Sequence, residues 1–219
     1  MAQDVSGLRA VLSHPWVYNL SQALMGANRN RRWLQRDFIQ AQPGERVLDV
    51  GCGTADILSV LPDVEYVGFD ISEPYIRHAR ERWGDRGSFF AQHLDDRSLV
   101  PHGRFDLVLA TGFLHHLDDD EVRGLLALLA TCLRPDGRVI TVDPCFSKDQ
   151  NPVAKFIISK DRGRNVRSPE EYEVLARGDF HNVEGWFCER SWPPYTYWIM
   201  RLSQPNLLLP PRDRTDHPG

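Results

Sequence analysis

The chain has 219 residues, with 26 lysines and arginines against 30 aspartates and glutamates, a formal charge of −4 and a pI near 6.1. This length suits a single α/β domain, and the lack of a basic excess argues against a nucleic-acid partner. No apolar run reaches the length of a membrane span and the first residues lack a signal-peptide pattern, so we expect a cytoplasmic protein with no membrane insertion.

The first predicted elements precede the sheet. Residues 16–40 carry leucine and aromatic side chains at helical spacing, which predicts one or two helices. Two interpretations stay open for this segment. Its aromatic side chains pack against the edge of the domain, or the segment covers the active site as a lid.

From Arg46 onward, short β-rich runs alternate with helical patterns, which predicts an α/β fold with a doubly wound parallel sheet. The predicted strands are RVLDV, YVGFD, SFFAQ, FDLVLA and RVITVD. The clearest helix is Asp119–Arg134, which has leucines at helical spacing, acidic residues in its first turn and PDG after its last.

After the fifth strand, the pattern predicts two helices and two more strands. One helix lies near Pro152–Ser159, and another begins at Pro169 with Ser168 as its N-cap. The strand candidates, Asn182–Arg190 and Tyr195–Leu202, have no helix between them and must therefore pair antiparallel. The cysteines lie far apart along the chain, which predicts free thiols and no metal site.

The junction of the first strand and the following helix reads VLDVGCGTAD. In doubly wound sheets this junction contacts nucleotide-like ligands, and Gly51 and Gly53 allow the backbone to turn sharply beneath one. A dinucleotide site would have a third glycine at position 56, but Asp56 stands there and Asp49 precedes the loop. Two carboxylates repel a pyrophosphate and attract a ligand with an ammonium and a positively charged sulfur, which favours S-adenosylmethionine over NAD or FAD.

A second acidic signal is Asp70, which ends the strand YVGFD, where a carboxylate can accept both ribose hydroxyls. Each acidic residue also has a structural interpretation, because Asp49 and Asp70 could cap helices and Asp56 could stabilise a helix dipole. The combined spacing favours ligand contacts for Asp49 and Asp70 and leaves the role of Asp56 open.

These motifs resemble those of class I S-adenosylmethionine-dependent methyltransferases over residues 46–143. VLDVGCGTAD, GFDIS, FDLVLATGFLHHLDDDEV and LRPDGRVITVD are similar to the successive motifs of that family, in the same order. The resemblance implies a seven-stranded, mostly parallel Rossmann-like sheet with its last strand antiparallel. From the chain length we expect a single methyltransferase domain, over residues 1–203. We divide the chain into four parts: an N-terminal helical cap (residues 1–42), a cofactor-binding core (residues 46–143), a substrate side with helices and the C-terminal strands (residues 144–203), and an extended or disordered tail (residues 204–219).

Carried over residue by residue, the resemblance implies which side chains contact S-adenosylmethionine. Four residues would surround the methionine part of the cofactor: Asp49, Gly51, Cys52 and Gly53. Asp70 would hold the ribose, and three residues would contact the adenine: Ile71, Leu94 and Asp95. Ala110 and Thr111 would lie along the edge of the cofactor. The family often has a glycine where this chain has Ala55, and an alanine there is tolerated if that position lies inside a helix.

The fourth strand leads into ATGFLHHLDD, which carries two histidines to the mouth of the active site. His115 and His116 are the candidate general bases, with His115 preferred because it lies nearer the strand; either could instead orient a loop. Asp143, at the tip of the fifth strand, is either a substrate contact or a turn residue before Pro144. ATGF differs from the Asn/Asp-Pro-Pro-Tyr pattern of enzymes that methylate adenine or protein amides, which favours a small-molecule acceptor. We expect methylation at a hydroxyl oxygen of that acceptor.

A basic stretch follows, SKDRGRNVR, with four cations: Lys160, Arg162, Arg164 and Arg167. It could bind an anionic group of the acceptor, although a solvated loop is the simpler interpretation. Two alternatives to this function stay open: a non-methylating or non-catalytic cofactor-binding relative that regulates a partner, and a Rossmann-type NAD oxidoreductase. The oligomeric state does not follow from these residues.

Overall fold

The structure, a computed structural model, describes residues 27–160 and 163–206. Strands β1 to β7, numbered in chain order, are Arg46–Val50, Glu65–Asp70, Gly87–Ala91, Phe105–Thr111, Leu133–Pro144, Phe180–Ser191 and Pro194–Pro205. They form one seven-stranded sheet in the order β3-β2-β1-β4-β5-β7-β6. Strand β7 pairs antiparallel with both of its neighbours and the other pairs are parallel, which confirms the predicted fold class.

Helices lie between most of the strands. Helices α1 to α6, in chain order, are Ala27–Leu34, Glu73–Trp83, Asp96–Leu99, Asp119–Cys132, Pro152–Ser159 and Pro169–Ala176. The π-helical turn Gln35–Ile39 continues α1, and 3-10 turns lie at Asp56–Ser59, Val100–His102 and Leu114–His116.

The structure differs from the predicted boundaries at the ends of several elements; strand β5, for example, begins at Leu133 rather than Arg138. Helix α4 ends at Cys132 rather than Arg134, because Leu133 already pairs with Phe105 as the first residue of β5. The last strand runs to Pro205, two residues into the predicted tail. The predicted helical segment 16–40 is described only from Ala27 onward, and the rest of the tail lies outside the described residues.

The central strands carry apolar side chains on both faces, as parallel strands between two helical layers must. In β4, Leu107, Val108 and Leu109 are all fully buried. Val108 belongs to the cluster that includes the leucines of α4, whereas Leu107 and Leu109 pack in the cluster with Leu34 and Ile76. The sheet is therefore the middle layer of the molecule.

The strand order reverses between β1 and β4, which are neighbours in the sheet but far apart in the chain. At such a point the connections from the two carboxyl ends leave toward opposite faces and open a crevice, where ligands of doubly wound sheets bind. The carboxyl ends of β2 and β5 lie along the same edge. None of the helices in the described part of the chain has the length and apolar character needed to cross a bilayer.

Candidate active site

A glycine loop connects β1 to the turn Asp56–Ser59 at the crevice. Gly51 and Gly53 adopt positive φ angles of 69° and 55°, which glycine tolerates far better than other residues. The amides of Gly51 and Cys52 both donate hydrogen bonds to the Phe69 carbonyl, at 2.8 and 3.0 Å. The loop is therefore fixed to the end of β2.

The ring of Phe113 packs directly on Gly51. A Cβ at position 51 would lie 2.3 Å from Cδ2 of Phe113, whereas a Cβ at position 53 would meet no atom of the described residues within 4 Å. The missing side chain of Gly51 thus lets an aromatic ring from the β4 side cover one end of the loop. The open face at Gly53 leaves room for a ligand.

The two glycines offer a matched test of this packing. Gly51→Ala should lower the free energy of unfolding by about 2–4 kcal/mol, because a clash with the Phe113 ring adds to the cost of the positive φ. Gly53→Ala has only the backbone cost, about 1–2 kcal/mol. Urea denaturation of both variants measures the difference, and equal losses would contradict the Phe113 contact.

Asp70, at the end of β2, binds the glycine loop. Its carboxylate accepts hydrogen bonds from the amides of Gly53, at 2.9 Å, and Ser72, at 2.8 Å. Burial raises the pKa of this carboxyl, and the two amide donors oppose that shift. Beside it, Ile71 is 59% exposed and offers an apolar surface. The ribose contact of Asp70 and the adenine contact of Ile71 stay predictions.

Asp49 lies under the loop in a buried pair with Tyr66. It is 2% exposed, and the Tyr66 hydroxyl donates to its Oδ2 at 2.5 Å. Its other oxygen, Oδ1, is buried and has no hydrogen-bond partner among the described residues. Burial raises the pKa of Asp49 to about 7, and the hydrogen bond from Tyr66 opposes that shift.

Asp56, whose role the sequence left open, is engaged by two arginines. Its carboxylate lies 3.1 Å from Arg31 Nη2 and 2.7 Å from Arg82 Nη1, and it accepts a hydrogen bond from Thr54 Oγ1 at 3.0 Å. These ion pairs connect the turn after the loop to α1 and α2. Because two guanidinium groups surround this single carboxylate, its negative charge is compensated, and the repulsion that we expected between Asp56 and a pyrophosphate is removed. The argument against a dinucleotide now depends on Asp49 and Asp70.

Ala55 does not lie inside a helix, contrary to the condition under which we expected it to be tolerated. Its φ is 53° and ψ is 31°, the left-handed conformation, and it precedes the short turn Asp56–Ser59. Its methyl group is fully buried. Burial of that methyl group helps to offset the backbone cost of a conformation that favours glycine.

The third acidic motif has a local structural role. Asp95 is exposed and is the N-cap of α3, where its Oδ1 accepts from the Ser98 amide at 2.7 Å. Hydrogen bonds from Ser98 lower the pKa of this carboxyl. Leu94 is half-buried against the core. The adenine contacts carried over to Leu94 and Asp95 stay predictions.

The end of β4 lies across the crevice from the glycine loop. Ala110 is fully buried and Thr111 is half-buried, and both pair with β5. On the loop side, burial and the charges of Asp49 and Asp70 raise the pKa of the Cys52 thiol. Cys52 therefore contributes a neutral, uncharged side chain, and its cofactor contact, like those of Ala110 and Thr111, stays a prediction.

His115 and Asp143 form a buried pair at the ends of β4 and β5. They are 4% and 1% exposed. His115 Nδ1 lies 2.9 Å from Asp143 Oδ1, and the His115 amide donates to the same oxygen at 3.2 Å. With a carboxylate as its partner, we assign the hydrogen to Nδ1, which leaves Nε2 as the basic nitrogen. Asp143 thus orients His115, a role that neither of its sequence interpretations included.

The two histidines differ in their surroundings. The ring of His116 is exposed and lies 4.1 Å from that of His115, centroid to centroid. Gly163 covers the His115 ring so closely that a Cβ there would lie 1.9 Å from Cδ2. The Asn165 amide also donates to the His115 carbonyl at 3.1 Å. The basic stretch itself, through Gly163 and Asn165, therefore encloses His115, whereas His116 lies at the surface.

Arg167, from that stretch, is a buried structural residue rather than part of a solvated loop or an anion clamp. Its side chain is 7% exposed and forms an ion pair with Asp119 at 2.8 Å. It also donates to the carbonyls of Leu114, Leu117 and Asn165 at 3.2, 2.8 and 3.0 Å. These contacts occupy its guanidinium donors within the protein.

The remaining cations of the stretch do not form a clamp in the described structure. Lys160 and Arg164 are exposed, and the Lys160 ammonium lies 5.8 Å from the centre of the Phe156 ring. Arg162 lies outside the described residues. An anionic acceptor stays a prediction without support from Arg167.

The loop has a donor and acceptor set that fits S-adenosylmethionine. The buried Oδ1 of Asp49, which has no partner in the described part of the chain, suits an ammonium group, and the space at Gly53 admits a ligand against the backbone. A pyrophosphate in this position would lie near the acidic side chains of Asp49 and Asp70, which disfavour an anion. The geometry therefore supports the predicted cofactor over a dinucleotide.

Sequence reasoning missed Tyr66 and Phe113. The signal for Tyr66 was the pair of glycines in adjacent strands: a Cβ at Gly68 would lie 3.0 Å from its Cε1, and one at Gly87 would lie 2.9 Å from its Cδ1. These two glycines leave the space that the tyrosine ring fills. Phe113 had no comparable signal, because its contact with Gly51 joins two distant segments of the chain.

Known proteins resemble this chain in sequence. A family model described as a methyltransferase domain matches residues 22–186. The ubiquinone/menaquinone biosynthesis C-methyltransferase UbiE of Burkholderia multivorans is 31% identical over 147 residues, which cover 63% of this chain and 59% of the relative. A phosphoethanolamine N-methyltransferase of Triticum aestivum is 29% identical over 155 residues, which cover 67% of this chain and 30% of the relative. The matches thus span less than two thirds of the length of these relatives.

Solved structures share the fold. The mitomycin 7-O-methyltransferase MmcR aligns with a TM-score of 0.64 at 20% identity, covering 87% of this chain and 58% of that one. The S-adenosylmethionine-dependent methyltransferase SibL aligns with a TM-score of 0.68 at 18% identity, covering 92% and 60%. A TehB-like SAM-dependent methyltransferase from Corynebacterium glutamicum aligns with a TM-score of 0.59 at 19% identity, covering 88% of this chain and 98% of that one.

The family model covers the greater part of the chain, including the glycine loop, the histidine turn and the end of β5. The sheet order and the residues around the loop agree with that match. The chain therefore belongs to the methyltransferase-domain family, the class I S-adenosylmethionine-dependent group that its motifs predicted.

Proposed function

We propose that this protein transfers a methyl group from S-adenosylmethionine to a hydroxyl oxygen of a small-molecule acceptor. The observation that carries the proposal is the buried pair of His115, in the turn after β4, and Asp143, at the end of β5. A hydroxyl is a poor nucleophile until a base takes its proton, and an imidazole held by a carboxylate is such a base.

The chain's own residues would hold the cofactor at the glycine loop. Asp49 would receive its ammonium, Gly51 and Gly53 would let it lie against the backbone, and Asp70 would accept from its ribose. When bound, S-adenosylmethionine supplies an electrophilic methyl group on a positively charged sulfur. The protein's main tasks are then to align the acceptor oxygen with that methyl group and to exclude water.

His115 would act as the general base. Its Nδ1–H is held by Asp143 at 2.9 Å, so Nε2 is in the form that accepts a proton from the acceptor hydroxyl. Asp143 would stabilise the imidazolium that results, as the carboxylate of a catalytic triad does. Gly163, packed on the ring, would limit water access to it.

A second candidate, methylation at a ring carbon, is favoured by the similarity to a C-methyltransferase. The same base would serve, because removing the proton of a ring hydroxyl also makes the adjacent ring carbon nucleophilic. The two candidates differ in product: an O-methyl group and an added C-methyl group give different carbon chemical shifts. A panel of hydroxylated aromatic acceptors with methyl-labelled cofactor distinguishes them by NMR.

Calorimetric binding of S-adenosylhomocysteine, with NAD as control ligand, tests the cofactor. We expect the first to bind and NAD not to bind. The reverse result would favour the oxidoreductase alternative. Binding of S-adenosylhomocysteine without turnover on any acceptor of the panel would favour a non-catalytic relative.

Asp70→Ala should weaken S-adenosylhomocysteine binding by about 1–3 kcal/mol, because it removes the ribose acceptor and releases the loop amides that Asp70 holds. Asp70→Asn keeps one acceptor oxygen and should lose less. Calorimetry measures both variants. Unchanged affinity in Asp70→Ala would mean that the ribose does not lie at the end of β2.

A further inference from the structure

The buried pair of Asp49 and Tyr66 is more than a packing contact. Both residues are 2% exposed, and the phenol donates to Oδ2 while Oδ1 stays unpartnered among the described residues. Gly68 and Gly87 leave the space that the Tyr66 ring occupies. Two strand glycines therefore make room for the ring whose hydroxyl donates to Asp49.

The surroundings of Asp49 oppose its ionisation in the free protein. The titratable and charged groups around it come from three places. Strand β2 contributes Tyr66 and Asp70, and the glycine loop contributes Cys52. The turn that follows contributes Asp56, to which Arg31 and Arg82 are bound. From β4, the residue paired with Asp49 is the apolar Leu109. Both arginines are bound to Asp56, and the neighbouring charge that acts on Asp49 is the negative one of Asp70.

We propose that Tyr66 is a positioning residue that holds Asp49 ready to ionise, and that cofactor binding drives a proton out of this pair. The proposal deepens the proposed function and rests on it. The balance is simple: the protonated carboxyl of Asp49 releases its proton to solvent as the ligand's ammonium arrives. The carboxylate then lies between the Tyr66 hydroxyl on Oδ2 and the ammonium on Oδ1.

The direction of the pH dependence follows from the pair. Burial raises the pKa of Asp49 to about 7, so the carboxyl is mostly protonated below that pH in the free protein. Binding must then remove the proton, and affinity should fall as the pH drops below about 7. The Tyr66 hydroxyl opposes the raised pKa, so removing it should move this fall in affinity to higher pH.

Calorimetry of S-adenosylhomocysteine between pH 5.5 and 8.5, in buffers of different ionisation enthalpy, measures both affinity and protons released. In the wild-type protein we expect release of up to one proton below the pKa and none well above it. Tyr66→Phe should bind several-fold more weakly than wild type at neutral pH and approach wild-type affinity at the alkaline end. The ligand's own ammonium titrates identically in both proteins, so it cancels from this ratio.

Tyr172→Phe is the matched control, since Tyr172 is equally buried and its hydroxyl donates to the Pro144 carbonyl at 3.1 Å, away from Asp49. It should not change the pH dependence. A loss of affinity in Tyr66→Phe that is the same at every pH, or the absence of proton release in wild type, would overturn the proposal while leaving the proposed function intact. Absence of S-adenosylhomocysteine binding at every pH would overturn both.

A ligand-free readout completes the test. The carboxyl carbon of Asp49, assigned by comparison with Asp49→Asn, should titrate near neutral pH in the NMR spectrum of the free protein. In Tyr66→Phe the midpoint should move to higher pH. An Asp49 that titrates at the ordinary value for aspartate, near 4, would also overturn the proposal.

Discussion

His115→Gln is expected to lower kcat by about 10²–10⁴-fold, the usual loss when a general base is removed. The affinity for S-adenosylhomocysteine should stay nearly unchanged, because the glycine loop does not depend on the imidazole. The variant should fold, since the His115 backbone amide still donates to Asp143 Oδ1 at 3.2 Å. Turnover with methyl-labelled cofactor and an accepted substrate measures the loss.

His116→Gln decides between the two candidate bases. His116 is exposed and its ring lies against that of His115, tilted by 38°, whereas His115 is buried and bound to Asp143. A larger loss of kcat in His116→Gln than in His115→Gln would transfer the role to His116. Loss of cofactor affinity together with kcat in His115→Gln would instead indicate that His115 only orients the loop.

Asp143→Asn tests the orienting role with little change in shape. The neutral asparagine amide cannot stabilise an imidazolium, and its NH2 group can donate to Nδ1, which favours the tautomer that carries the hydrogen on Nε2. We therefore expect kcat to fall even though His115 is present. KM for the acceptor should change less than kcat. Equal effects on kcat and on cofactor binding would indicate that Asp143 acts on the structure of the crevice rather than on His115.

The sheet was well predicted from the sequence because each strand is a short apolar run bounded by turn-forming residues or helical patterns. The antiparallel pairing of the last two strands followed from the lack of a helix between them. The starts of α5 and α6 were equally local, since Pro152 and Pro169 occupy the first positions of these helices. Such features depend on neighbours in the chain, and a sequence displays neighbours directly.

The candidate site was less accessible, because its contacts join distant segments. Arg31 and Arg82 form ion pairs with Asp56 from two different helices, and the residues next to Asp56 in the chain do not predict these contacts. Ala55 adopts a left-handed backbone conformation, which glycine usually adopts, so its sequence context did not indicate this conformation. Tyr66 reads as an ordinary strand residue until the glycines of its neighbouring strand positions are recognised as the space for its ring.

The basic stretch shows how charge in a sequence can mislead. Four cations within a few residues usually indicate solvent exposure, and two of them, Lys160 and Arg164, are exposed. Arg167 instead turns inward, where one carboxylate and three carbonyls receive its guanidinium. A buried arginine with so many partners is a structural residue, and its sequence neighbours say nothing about that.

Arg167→Met should lower the free energy of unfolding by about 3 kcal/mol, because it leaves three carbonyls of the histidine turn and its covering segment without a donor. A solvated residue at this position would cost no more than about 0.5 kcal/mol. An anion clamp would lower acceptor affinity and leave stability unchanged. Urea denaturation separates these cases, with Arg164→Met as the exposed control.

Arg167→Lys should not restore the lost stability, because one ammonium cannot reach acceptors that the planar guanidinium spans. The effect should extend to catalysis in whatever fraction of the variant still folds. Arg167 fixes the carbonyls of Leu114 and Leu117, on either side of the two histidines, so its loss frees the turn that holds His115 against Asp143. We therefore expect kcat to fall in Arg167→Met while S-adenosylhomocysteine affinity is kept. A variant that loses stability but keeps wild-type kcat would show that the base is held by Asp143 alone.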